Sequence, residues 1–208
     1  MKKLFVTILL LLSVTSYASQ KAITDTGKEV ILNNDGTWEY SDNAQNATNI
    51  IETNKKKFER PRASSFLLKS TKNNSAYWIN TDKWVFTKAK DSASAEYEFR
   101  LKGKDLHGMT ITEEAVIPVE SLANIALSNA REVAPDAKRV KQEFRIVNGK
   151  KVIYMEMSGT IQGMKAIYFG YYYSDVSGVT QLIVYTTTNL VDKNKSEIND
   201  FLNGLDMQ

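Results

Sequence analysis

The chain has 208 residues, with 27 basic and 24 acidic side chains and no cysteine. Without cysteine there are no disulfides, thiol nucleophiles or thiolate metal sites. The expected cleavage after Ala18 takes Lys2 and Lys3 with it and leaves 25 basic groups against 24 acidic ones, net +1; such a balance gives no overall field for nucleic acid or an anionic membrane.

Residues 1–18 have the three-part layout of a secretory signal peptide. Met1-Lys2-Lys3 is a basic start, residues 4–14 are apolar, and Ser16-Tyr17-Ala18 ends in small residues, so cleavage is expected after Ala18. The apolar run is shorter than the about 20 residues needed to span a bilayer. A lipoprotein would need a cysteine after it. No second long apolar run follows, so no membrane span is expected. An exported chain without disulfides fits a bacterial envelope better than a small eukaryotic secreted domain, and the expected location is periplasmic or secreted.

Residues 19–40 carry short β-prone pieces punctuated by Asp25-Thr26-Gly27 and Asn33-Asn34-Asp35-Gly36. Asp-Gly between β-formers is a hairpin signal, because glycine accepts positive φ. Two hairpins make a small meander, and its Asp and Asn residues lack the ligand spacing of a calcium loop. Residues 41–63 are rich in Asn, Thr, Ala and Lys and end in Lys55-Lys56-Lys57-Phe58-Glu59-Arg60-Pro61-Arg62. This composition reads as a polar linker, with contact to an anionic lipid or polymer as the alternative for its basic cluster.

Residues 64–208 form the main domain. Phe66-Leu67-Leu68 and Trp84-Val85-Phe86 are β-prone, around a turn-rich Lys72-Asn73-Asn74-Ser75. Residues 96–102 alternate, placing Tyr97, Phe99 and Leu101 on a dry face and Glu96 and Glu98 on a wet one. Residues 109–116 are the expected antiparallel partner. Pro118 opens a predicted helix over 119–134, with Val119, Leu122, Ala126, Ala130 and Val133 on one face and Ile125 beside them; Pro135 stops it.

Asn148-Gly149 predicts a two-residue type I′ turn. Its register pairs Val147 with Lys150, Phe144 with Ile153 and Val140 with Met157, and sets Lys141 across from Glu156 as a charge pair. Strands over 166–173 and 179–187 follow, and a closing helix places Ile198, Phe201, Leu202 and Leu205 on one stripe, with Asp192 or Asn194 as N-cap. The fold class is therefore α+β, an antiparallel sheet with packed helices.

Little in this pattern assembles chemistry. His107, the sole histidine, sits in a predicted hairpin loop with no nucleophile elbow near it. Glu113 and Glu114 are adjacent on a strand and point to opposite faces, so they cannot flank one glycosidic bond. Residues 159–163 lack the Lys-Ser/Thr ending of a phosphate loop, and no cofactor is implied. The aromatic run is the best candidate for a site: Tyr168, Tyr171, Tyr172 and Tyr173 put rings on both faces of one strand. One face must be core, and the other either packs under a helix or lines a groove for a sugar or an apolar ligand.

The order of elements in residues 64–208, from a strand region near Trp78 or Trp84 to the last helix, resembles the PsbP-like α/β/α sandwich of exported bacterial and thylakoid-lumen proteins. The resemblance implies a non-enzymatic accessory or binding role and transfers no site residue. The expectation is an exported non-catalytic module binding an envelope protein, a glycan or an apolar ligand. The alternatives are a carboxylate- or metal-dependent hydrolase of the envelope, and an assembly factor acting through residues 19–62.

Overall fold

The computed structural model describes residues 20–24, 29–41, 51–90 and 95–208; the signal-peptide layout, the Asp25-Thr26-Gly27 turn and residues 42–50 of the expected linker lie outside these. Strands β1 (Gln20–Ile23), β2 (Glu29–Leu32) and β3 (Trp38–Tyr40) form the expected antiparallel meander. Its second turn is built as the composition predicts. Gly36 takes a φ of 83°, and the Asp35 carboxylate accepts the Thr37 backbone N–H at 2.9 Å, an arrangement that imitates a backbone turn.

The expected linker over residues 41–63 is in part a strand. Residues Thr53–Phe58 form strand β4, which pairs parallel with a strand of the main sheet. Three contacts explain why so polar a segment is held. Phe144 donates its backbone N–H to the Glu52 carbonyl at 2.8 Å, and Asn148 to that of Phe58 at 2.9 Å. Asn54 Nδ2 donates to Glu143 Oε1 at 3.0 Å. Lys55, Lys56 and Lys57 stay exposed, which suits an edge strand, since lysines there discourage further pairing.

Strands β5 (Phe66–Lys69), β6 (Ser75–Ile79), β7 (Trp84–Lys88), β8 (Ala95–Leu101) and β9 (His107–Glu113) follow, then helix α1 (Val119–Val133). Pro118 is the residue before the first turn rather than within it (φ −54°, ψ 139°), and its carbonyl accepts the Leu122 N–H at 3.0 Å. The buried face of α1 is Ser121, Leu122, Ala123, Ala126 and Leu127. It lies to one side of the predicted stripe and leaves Val133 68% exposed.

Strands β10 (Lys138–Val147), β11 (Lys150–Ile161), β12 (Met164–Asp175) and β13 (Gly178–Thr187) form the long meander, followed by helix α2 (Val191–Leu202) and strand β14 (Leu205–Met207). The 148–149 turn has positive φ at both residues, 48° and 82°, as type I′ requires. The predicted register holds from Val147↔Lys150 through Lys141↔Glu156; a bulge between Arg139 and Lys141 then gives Met157 to Arg139 and turns Val140 out to solvent. At the last helix, Leu190 stands at the N-cap with no side-chain cap, and Leu205 belongs to β14.

The large sheet has the order β4-β10-β11-β12-β13-β9-β8-β7, and a small one the order β14-β6-β5. Apart from β4 the pairings are antiparallel, so the large sheet is mixed rather than antiparallel throughout. Helix α1 packs on β10, β11 and β12, and α2 on β12 and β13. Alternation along β12 divides the core in two. Tyr172 joins Leu122, Ala126 and Met155 under α1, while Tyr171 and Phe169 join Phe201, Leu202, Tyr77 and Ile79 on the other side. The layer opposite α1 is therefore α2 and the small sheet together, a departure from a simple helix–sheet–helix sandwich. Close approach of α2 needs a glycine: a Cβ at Gly108 would stand 2.9 Å from the Phe201 ring.

Candidate functional site

The two layers decide the fate of the tyrosine run. Tyr171 and Tyr172 are both 0% exposed. Tyr171 donates its hydroxyl to Asn203 Oδ1 at 2.8 Å. The Tyr172 hydroxyl is buried with no hydrogen-bond partner among the described residues, and burial pushes its pKa well up. Tyr173 is half-buried and donates to Asp175 Oδ2 at 3.3 Å. The four tyrosines thus do not form one open aromatic face. Tyr171 and Tyr172 are core on opposite sides of β12, and Tyr168 lines a groove.

Tyr168 belongs to a cross-strand row that spans six strands of the large sheet. Successive pairings place Arg139 beside Met157, then Tyr168, Tyr185, His107 and Arg100. The Tyr168 and Tyr185 rings stack at 5.2 Å, and Tyr185 and His107 at 5.6 Å. Burial raises the pKa of Tyr168 and of Tyr185. His107 is the first residue of β9 rather than a loop residue, and its Nε2 lies 2.9 Å from Asp105 Oδ1.

Helix α1 covers only the β10–β12 part of this face, and the uncovered part is concave. A cavity of about 250 Å³ lies along the helix, between Ala126 and Ala130 on α1 with Ala134 at its C-cap, and Met109, Ile111, Met157, Tyr168, Gln181 and Ile183 on the sheet. A wider groove of about 580 Å³ adjoins it at Met109 and carries Val85, Glu98, Arg100, His107 and Tyr185. The three alanines, one helical turn apart, hold the helix wall back from the sheet. The first cavity is apolar with a few polar groups, the usual make-up of a small-molecule site. Its most buried polar group, Gln181, lies inside the apolar strand β13; a lone amide in such a run was the only available sequence signal.

The carboxylates are dispersed. Glu96 is 3% exposed rather than on a wet face, because an irregularity between Ala95 and Tyr97 turns it inward. There it accepts hydrogen bonds from the Ser70 hydroxyl, the Thr71 N–H and the Thr71 hydroxyl. Lys141 stands opposite Glu156 as expected, but its Nζ bonds Glu143 at 3.1 Å, and Glu156 accepts the Tyr154 hydroxyl at 2.8 Å. Among the described residues, no three His, Asp or Glu side chains gather as metal ligands would.

No family model matches the sequence, and no curated protein matches it. Among solved structures, cyanobacterial PsbP from Synechocystis sp. PCC 6803 is similar over 69% of this chain and 92% of its own, with a TM-score of 0.51 and 13% identity. A Pseudomonas aeruginosa protein of unknown function aligns over 64% of this chain and 89% of its own, at a TM-score of 0.40 and 13% identity. A Bacteroides thetaiotaomicron protein aligns over 65% and 45%, at 0.40 and 9%. At such identities the likeness concerns architecture alone, and on the first of these comparisons the fold of the chain is PsbP-like.

Proposed function

We propose that the protein is an exported, non-catalytic binding or accessory module whose binding face is the concave part of the large sheet beside α1. One observation carries this reading: the apolar cavity of about 250 Å³ between the alanine face of α1 and the β9–β13 strands. Apolar pockets with few convergent polar groups are the usual form of a small-ligand site. The scatter of Glu96, Glu113, Glu156 and His107 over separate places in the fold favours binding over hydrolysis. Export rests on the layout of residues 1–18. No helix among the described residues is long and apolar enough to cross a membrane.

The groove is tested with Nile red, a neutral apolar dye. Saturable one-site fluorescence enhancement is expected for the wild type, and its loss for Ala130→Phe, which fills the cavity from the helix side. Equal dye binding by a folded Ala130→Phe variant would place the binding face elsewhere. Export is tested by cell fractionation with mass spectrometry of the N-terminus. A chain beginning at Ser19 outside the cytoplasm supports it, and an intact chain kept in the cytoplasm refutes it.

A further inference from the structure

The ligand class follows from Gln181. This residue is 6% exposed and lines the cavity from β13. Its neighbours in the sheet are Tyr172 on one side and Ile111 on the other. Its side-chain amide has two donors and an acceptor oxygen on the wall of a largely apolar cavity. An amide so placed can hydrogen-bond the polar end of a ligand whose apolar part fills the cavity.

Taking the groove as the binding face proposed above, we infer that it accepts a neutral medium-chain amphiphile, a hydrocarbon chain ending in an amide or hydroxyl that Gln181 hydrogen-bonds. No residue lining this cavity is charged, Glu98 and Arg100 belonging to the adjoining groove, so an ionised head group held at Gln181 would lose its hydration with no counter-charge in return. Size fixes the chain. The cavity, about 250 Å³, exceeds the roughly 150 Å³ of an engineered cavity that holds benzene, and falls just below the roughly 300–1,000 Å³ range of drug-sized pockets. Met109 and Met157 supply adaptable thioether walls for a flexible chain.

Calorimetric titration of the full chain with decanamide, decan-1-ol and sodium decanoate tests the inference. Decanamide and decanol are expected to bind at one site, with decanoate at least about tenfold weaker. Gln181→Leu should weaken decanamide about tenfold, change Nile red binding much less, and raise the unfolding temperature of the ligand-free protein. That combination distinguishes a ligand-facing amide from a structural one, whose removal would lower stability. Gln181→Met serves the same purpose if the leucine variant does not fold. Decanoate binding as tight as decanamide, unchanged decanamide affinity in the variants, or no binding of any decyl compound would overturn the ligand class. In each of those cases saturable Nile red binding that Ala130→Phe abolishes would keep the groove itself. Dye binding insensitive to Ala130→Phe would remove the groove and the ligand class with it.

Discussion

At the scale of single residues, Arg145 shows how this fold tolerates a buried charge. It is 6% exposed, with its guanidinium 3.4 Å from the Tyr154 ring centroid and 4.4 Å from that of Phe58. Its Nε donates to Glu143 Oε1 at 2.6 Å. Burial works against ionisation of Glu143, but hydrogen bonds from Asn54, Arg145 and Lys141 outweigh it and hold the carboxyl below its ordinary pKa. Removing one member of such a pair leaves the other charge poorly compensated. Arg145→Met is therefore expected to cost about 3 kcal/mol in urea unfolding; a loss under about 1 kcal/mol would mean that Lys141 alone can compensate Glu143. Residues of this kind were the least legible in the sequence. Glu96 sits in a strict alternation that assigns it to solvent, and only the irregularity at Ala95/Tyr97 reverses that. Gln181 is one polar letter in an apolar strand, and no periodicity says whether such an amide is paired.

At the scale of elements, legibility followed the strength of local chemistry. The Asn148-Gly149 turn fixes two backbone conformations, so seven residues of strand β10 pair as the turn dictates, and the prediction fails only beyond the bulge after Arg139. Strand β4 has no such signal. Its partner is distant in sequence, its pairing is parallel, and its apolar content is little more than Phe58. Polar contacts must then hold it, and Asn54 makes two: Nδ2 donates to Glu143, and Oδ1 accepts the Lys56 N–H at 3.0 Å. Asn54→Ala should cost about 1 to 2 kcal/mol and, more tellingly, speed amide hydrogen exchange in residues 53–58 while the β11–β12–β13 amides keep their protection. Uniform loss of protection across the large sheet would show instead that β4 unfolds only with the whole. The rings of the aromatic run do not share one open face for a related reason. Two covering layers, not the strand itself, decide which ring is open, and the small sheet that completes one layer draws β14 from the last three residues before Gln208.

At the scale of the whole molecule, the two cores share strands β11, β12 and β13, and buried tyrosines occur in both, Tyr77, Tyr97, Tyr154 and Tyr171 in one and Tyr172 in the other. Tyr77, Tyr97, Tyr154, Tyr168, Tyr171, Tyr172, Tyr173 and Tyr185 all have their pKa raised, in every case chiefly by burial. The linkage has a definite sign. An unfolded tyrosine ionises near 10, whereas a buried one keeps its proton to higher pH, so the native state binds more protons above that point and stability falls as pH rises. The contribution is complete below pH of about 10 and is lost through the folded pKa values. Ionising a buried ring requires the packing around it to open, which makes the consequence cooperative. Titration of these tyrosines followed by tyrosinate absorbance should show a steep step that coincides with loss of the sheet's far-ultraviolet circular dichroism. The same experiment in urea should bring the two curves back toward the ordinary tyrosine range together, because urea removes the burial that raises the pKa. Gradual ionisation of most tyrosines near pH 10 with the sheet intact would mean that solvent reaches both faces of β12, and the two-layer packing described above would then be wrong.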